Sequence, residues 1–167
     1  MQVRVHPTFL PKSHPLSSVN GSFNAVYLYG HACREMMLQG RGAGDMPTAS
    51  AVVSDILRAA TAEIHLHPTF ANTAEADPSL VFDDNWESQY FIRLSAEDQP
   101  GVLEKIAGWL ARENVSIATM LQKGKADDDR VPLIIVTHAA PEKSLHKALE
   151  AFDPAVCTVE SVIRVEA

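Results

Sequence analysis

Cysteine is scarce in this sequence. Of 167 residues only Cys33 and Cys157 are cysteines, they lie far apart, and no CxxC pair occurs. That excludes a disulfide scaffold and a cysteine-based zinc module, and fits two reduced thiols of a cytoplasmic protein. Positive charge is also short. Fourteen Lys and Arg stand against 21 Asp and Glu, a net charge of −7, with no long basic run. A nucleic-acid binder needs a basic face to displace counterions, so nucleic acid is not an expected partner. No apolar stretch approaches the roughly 20 residues of a membrane span, and the N-terminus lacks the regions of a signal peptide, so no membrane partner is expected. Missing too is a strand–GxGxxG–helix unit followed by an acidic residue about 20 positions on, the fingerprint of a dinucleotide-binding domain.

What is present is ordinary globular material, 46% hydrophobic and 21% charged, enough for one or two small domains. Val3 and Val5 alternate with polar neighbours and meet Pro7, which predicts a short strand ending there. Residues 6–20 hold three prolines and several serines and read as an ordered loop. Phe23 to Tyr29 and Glu35 to Gln39, joined by a turn at Gly30 to Ala32, predict a hairpin. Gly40-Arg41-Gly42-Ala43-Gly44 follows. A helix opening at Pro47 or Thr48 has Val52, Ile56, Ala59 and Ala60 at helical spacing. Residues 67–88 mix prolines, asparagines and acids without periodicity and read as a linker, docked by Phe70, Phe82 and Trp86.

The last segment is the most regular. Tyr90, Ile92 and Leu94 alternate in a strand, and Asp98-Gln99-Pro100-Gly101 turns into a helix with an apolar stripe of Leu103, Ile106, Ala107 and Leu110. Val115, Ile117, Thr119 and Leu121 alternate in a second strand. A polar loop over residues 123–130 leads to a third strand, Val131 to Thr137. Pro141 opens a second helix with Leu145, Ala148, Leu149 and Phe152 inward. Cys157, Val159, Ser161, Ile163 and Val165 alternate in a fourth strand. The order is βαββαβ, a ferredoxin-like sandwich. The expected class is therefore α+β, a partial α/β segment (hairpin, Gly-rich loop, helix) followed by this sandwich. The segment boundaries fall at 1–66, 67–88 for the linker, and 89–167.

That βαββαβ order, with Asp98-Gln99-Pro100-Gly101-Val102-Leu103 at its first strand–helix turn, resembles the ACT domain, a module that binds small ligands, usually amino acids, and regulates metabolic enzymes. The turn has its own chemistry. Gly101 lets backbone approach a ligand, the helix start offers N–H groups and a positive dipole end to a carboxylate, and Asp98 can accept from an ammonium. The resemblance adds Val102 and a polar residue at the start of the second strand, Ser116, to the effector site. Asp98 could instead cap the helix, and Asn114 could close it at the other end.

Upstream, Val3-Arg4-Val5-His6-Pro7-Thr8, His14-Pro15-Leu16, residues 19–26, and Gly40-Arg41-Gly42-Ala43-Gly44 followed by residues 47–53 and Asp55 resemble the late catalytic region of homoserine dehydrogenases. This implies an oxidoreductase that interconverts aspartate semialdehyde and homoserine with NADP or NAD. The family implies a homo-oligomer, here through the hairpin and the ACT domain, with threonine as feedback effector. By the same resemblance Gly44, then Gly42 and Thr48, approach the nicotinamide end. The glycines equally suit a tight turn and close helix packing. The nucleotide-binding domain and catalytic residues of that family are not found here, so the chain reads as a piece of a longer product, inactive alone. A stand-alone amino-acid-binding or assembly module is the alternative. Other constellations are weak. His65 and His67, with His6 or His14, lack zinc spacing, residues 127–129 are an acidic loop tip rather than a calcium loop, Ser50 has no nucleophile elbow, and Met36-Met37 is strand packing.

Overall fold

The structure, a computed structural model, describes residues 3–61, 79, 81–122, 124 and 130–166. In chain order the elements are β1 (Thr8–Phe9), a 3₁₀ turn (Pro15–Ser18), β2 (Phe23–Gly30), β3 (Arg34–Arg41), α1 (Asp45–Thr61) and β4 (Glu87–Glu97). There follow α2 (Val102–Arg112), β5 (Ile117–Gln122), β6 (Arg130–Thr137), β7 (Ala140–Pro141), α3 (Glu142–Glu150) and β8 (Cys157–Val165). No helix among the described residues is long and apolar enough to cross a membrane. The chain forms two compact units, Pro11–Leu80 and the remainder, so the residues before Pro11 fold with those from Val81 onward. These units cut the chain differently from the boundaries at 66 and 88 read from sequence.

In the larger unit the sheet order is β1-β8-β4-β6-β5, with β7 paired to β4. The four long strands are antiparallel and only β1 runs parallel to its neighbour. With α2 and α3 between them, β4, β5, β6 and β8 realise the expected βαββαβ sandwich. The two-residue period of β4 sends Tyr90, Ile92, Leu94 and Ala96 to one face, where they meet Leu133 and Ile135 of β6. Ile106 and Leu110 of α2 and Leu145 and Ala148 of α3 close the same core. Asn114, in the left-handed conformation with φ 57°, ends α2.

Tertiary pairing alters several local readings. Residues 3–7 form no strand, and Val5 is fully exposed. Pairing begins beyond Pro7, which has no N–H to donate, where Thr8 and Phe9 meet β8. The inward stripe of α2 is Val102, Ile106 and Leu110, while Leu103 is 43% exposed. A bulge between Ile117 and Thr119 reverses the alternation of β5, so that Met120 packs on the core and Leu121 does not. A second bulge leaves Glu160 without a partner in β4 and pairs Arg164, not Ile163, with Tyr90. Phe82 and Trp86 remain exposed at 70% and 52%, and Phe70 lies outside the described residues. The end of the linker docks instead by polar contacts at the start of α3. Asn85 Oδ1 accepts from Lys143 N (3.0 Å), Trp86 O accepts from Glu142 N (3.1 Å), and Asp84 pairs with Lys143 (2.8 Å).

In the unit of residues 11–80, β2 and β3 form the expected hairpin in continuous register from Phe23↔Arg41 to Gly30↔Arg34. Helix α1 starts two residues before Pro47, a position in the first turn where the missing N–H costs nothing. None of its side chains is buried, and Val52, Val53, Ile56 and Leu57 are more than half exposed.

Candidate functional site

The turn between β4 and α2 opens on a cavity of about 280 Å³. Gly101 holds φ 90°, a conformation glycine adopts without a steric penalty, and it stands at the helix N-cap with no side chain capping the first turn. Asp98 is therefore not the cap. Its Oδ1 accepts from Gln122 Nε2 at 3.2 Å, across from the end of β5. The floor is apolar, built by Ala96, Val102, Leu103, Val131 and Leu133, and the rim is polar, with Glu97, Asp98, Gln99 and Gln122. Leu103, displaced from the core stripe, lines this cavity. An acceptor-rich rim beside a helix N-terminus, above an aliphatic floor, suits a small zwitterion with an apolar side chain.

Of the residues read from sequence, the structure brings Asp98, Gly101 and Val102 together and leaves Ser116 apart. Ser116 precedes the opposite end of β5, six residues and roughly 20 Å of extended strand from Gln122, and its carbonyl accepts from His138 N at 2.8 Å. Both β4 and β5 pair antiparallel with β6, so they run parallel to each other. The end of β5, not its start, then lies beside the end of β4. Gln122 is the site residue the sequence reading missed, and this topological rule is the signal that would have found it.

In the Gly-rich loop, Gly44 adopts φ 126°, and its carbonyl accepts from Thr48 N at 3.1 Å as α1 begins. A Cβ there would meet nothing nearer than Pro47 at 3.4 Å, so its backbone remains open to approach. Gly42 is different. A Cβ would fall 2.0 Å from Asn24 Nδ2, and its N–H donates to Ser22 O at 2.8 Å. The atoms it would meet belong to the exposed side chain of Asn24 on β2. Thr48 is exposed on the first turn of α1. Among the described residues no group of three or more His, Cys, Asp or Glu side chains is placed to hold a metal ion, and His65, His67 and residues 127–129 lie outside them. Burial pushes the Cys157 thiol up to about 11, whereas Cys33 is exposed.

Two family models match the chain, homoserine dehydrogenase over residues 1–57 and the ACT domain over residues 90–154. A homoserine dehydrogenase of Corynebacterium glutamicum is 40% identical over 168 residues, covering 99% of this chain and 37% of the relative. One of Neisseria gonorrhoeae is 37% identical, covering 99% of this chain and 40% of the relative. A crystal structure of a homoserine dehydrogenase from Thiobacillus denitrificans superposes with a TM-score of 0.78 at 34% identity, over 99% of this chain and 39% of that one. The chain thus spans about two-fifths of the length of the relatives it matches. With residues 1–57 matching the homoserine dehydrogenase model and residues 90–154 the ACT model, the chain is similar, along nearly its whole length, to the C-terminal part of homoserine dehydrogenases.

Proposed function

We propose that this chain is the C-terminal portion of an NAD(P)-dependent homoserine dehydrogenase, a cytoplasmic enzyme that interconverts aspartate semialdehyde and homoserine. In this reading residues 1–66 are the end of the catalytic region, 67–88 a linker, and 89–167 a regulatory ACT domain. The observation that carries it is similarity running through 99% of the chain, across both segments, to proteins of that one name. The nucleotide site belongs to the part of such a protein not represented here. From this chain the open backbone at Gly44, at the start of α1, is the place where a nicotinamide end would be approached, with Thr48 one turn on. The cofactor supplies the hydride, and the loop contributes close approach. Within that loop Gly42 stands next to Asn24 of β2.

The ACT cavity takes a free amino acid, threonine first by family resemblance. Its ammonium faces Asp98 and its carboxylate faces the N–H groups after Gly101. A homo-oligomer forms through the hairpin and the ACT domain. What supports this is the exposed Val26, Leu28 and Leu38 of the hairpin and the edge position of β5. Ser116, remote from Asp98 in its own chain, then serves the site only from a partner. The test is to assay this chain and the product of the complete reading frame with homoserine and NADP. Activity in the longer protein and none in the chain is the expected result. No activity in the longer protein refutes the enzyme reading, and turnover by the chain alone refutes its assignment as an incomplete part. Calorimetry with threonine decides the effector separately.

A further inference from the structure

The end of β4 away from the effector turn carries a second cavity, of about 220 Å³, lined by Arg4, His6, Trp86, Ser88, Arg164 and Glu166. All six residues belong to the larger unit. Glu97 lines the first cavity and Ser88 the second, nine residues or about 30 Å of extended strand apart. The two cavities have no lining residue in common. Pairing of Thr8 and Phe9 with Arg164 and Val165 of β8 carries the residues ahead of β1 to this end of the sheet. There Arg4 makes a two-pronged ion pair with Glu142, the first residue of α3, donating from Nη1 to Oε1 at 2.9 Å and pairing from Nη2 with Oε2. The His6 ring is engaged by Thr8, Nδ1 to Oγ1 at 3.0 Å.

Arg164 is the group that gives this cavity its chemistry. Its side chain is only 13% exposed. Nη2 pairs with Glu142 Oε1 at 2.6 Å, and the guanidinium carbon lies 5.9 Å from the centre of the Tyr90 ring. Nε and Nη1 meet no acceptor among the described residues. Donors of a mostly buried guanidinium are costly to leave without an acceptor, and its planar fork matches a carboxylate through two parallel bonds. The remaining walls supply acceptors and a flat apolar surface. Ser88 Oγ donates to Gln89 O at 3.2 Å, which leaves its lone pairs for a donor, and Glu166 adds an exposed carboxylate. Trp86 is held by its backbone, whose carbonyl accepts from Glu142 N at 3.1 Å, while its ring stays half exposed. A neighbouring cavity of about 260 Å³ shares Trp86, Ser88 and Glu166 and adds Gln89, Ala139 and Val165.

We propose that this cavity is a second site for a free α-amino acid, separate from the effector turn. The carboxylate of the ligand lies on the fork of Arg164. Its ammonium lies on Glu166 and Ser88, and its side chain runs over the Trp86 ring into the neighbouring cavity. A zwitterion matches these walls where a simple anion does not, because guanidinium donors and a carboxylate line the same small space. The volume equals the liquid share of roughly seven water molecules, which suits a solute of that size. Occupancy here is independent of threonine at the effector turn, since either site can fill without the other.

The test is two-dimensional NMR of the isotope-labelled 167-residue chain, titrated separately with each of the protein L-amino acids and with acetate. Trp86 and Trp109 are the only tryptophans, so Trp86→Phe assigns the two indole N–H signals. At least one amino acid is expected to shift the Trp86 indole and the Ser88 and Glu166 amides saturably at millimolar concentration, with a midpoint that Asp98→Ala leaves unchanged. Acetate, which has no ammonium, should bind severalfold more weakly. Arg164→Lys keeps a charge beside Glu142 but loses the fork, and should weaken binding about tenfold or more. Glu166→Gln removes the partner of the ammonium and should weaken it severalfold. In both variants the Ile92 and Ile135 amides should stay in place. If no amino acid shifts the Trp86 indole, or if Asp98→Ala weakens the binding seen there, the second site is overturned. An unchanged midpoint in Arg164→Lys overturns the carboxylate contact, and acetate binding as tightly as the best amino acid overturns the ligand class. If Arg164→Lys unfolds the sheet, Glu166→Gln decides, because that side chain is exposed, and an unchanged midpoint there overturns the proposal.

Discussion

Replacing Asp98 with alanine separates the binding role of this carboxylate from a structural one, because the structure assigns each a different magnitude. As a helix cap, Asp98 would be worth about 1 kcal/mol of stability. That role is vacant, since Gly101 is the N-cap and no side chain bonds to the first turn. What Asp98→Ala removes from the folded chain is one exposed hydrogen bond, from Gln122 at 3.2 Å, at the weak end of the usual net value of about 0.5–1.5 kcal/mol. The midpoint of thermal unfolding should then fall by no more than about 4 °C. On the ligand side the variant removes a charge-assisted bond to an ammonium, about 1.5–3 kcal/mol, which is roughly 10- to 150-fold in affinity. Titration calorimetry with threonine measures the second quantity, and a melting curve of the same sample the first. An unchanged affinity refutes the ammonium contact. An unchanged affinity with a melting point lowered by 8 °C or more would show that the carboxylate is structural after all.

Three further outcomes are expected. Gly44→Val, strained at φ 126° but open around it, should raise the cofactor KM of the longer enzyme more than it lowers the melting point. Iodoacetamide at pH 8 should label Cys33 and spare Cys157, whose burial holds the thiol near 11; equal labelling in the native protein, read by mass spectrometry, would contradict the packing of β8. Burial raises the Glu142 carboxyl, but the bonds from Arg164 and Arg4 outweigh it and hold the group below its ordinary 4.5. Its stabilisation is therefore present above that value and lost as pH falls through the lower folded one, so Glu142→Gln should flatten the acid limb of the stability curve, and parallel limbs would refute the contribution of these ion pairs.

The element order of residues 89–167, the hairpin of β2 and β3, and the turn at Asp98 to Gly101 were legible in the residues alone. Those features are written in local periods of 2 and 3.6 residues and in the backbone needs of one glycine. Which side chains those elements deliver depends on long-range strand pairing. One extra residue in β5 and one in β8 reverse the alternation beyond them, sending Met120 inward in place of Leu121 and placing Arg164 beside Tyr90 and Glu142. The common antiparallel partner β6 sets Gln122 rather than Ser116 next to Asp98. Pairing with β8 draws Thr8 and Phe9 out of the segment they resemble and into the ACT sheet. Each outcome depends on a strand partner far away in the chain, and spacing within one stretch cannot encode a register that two distant stretches set together.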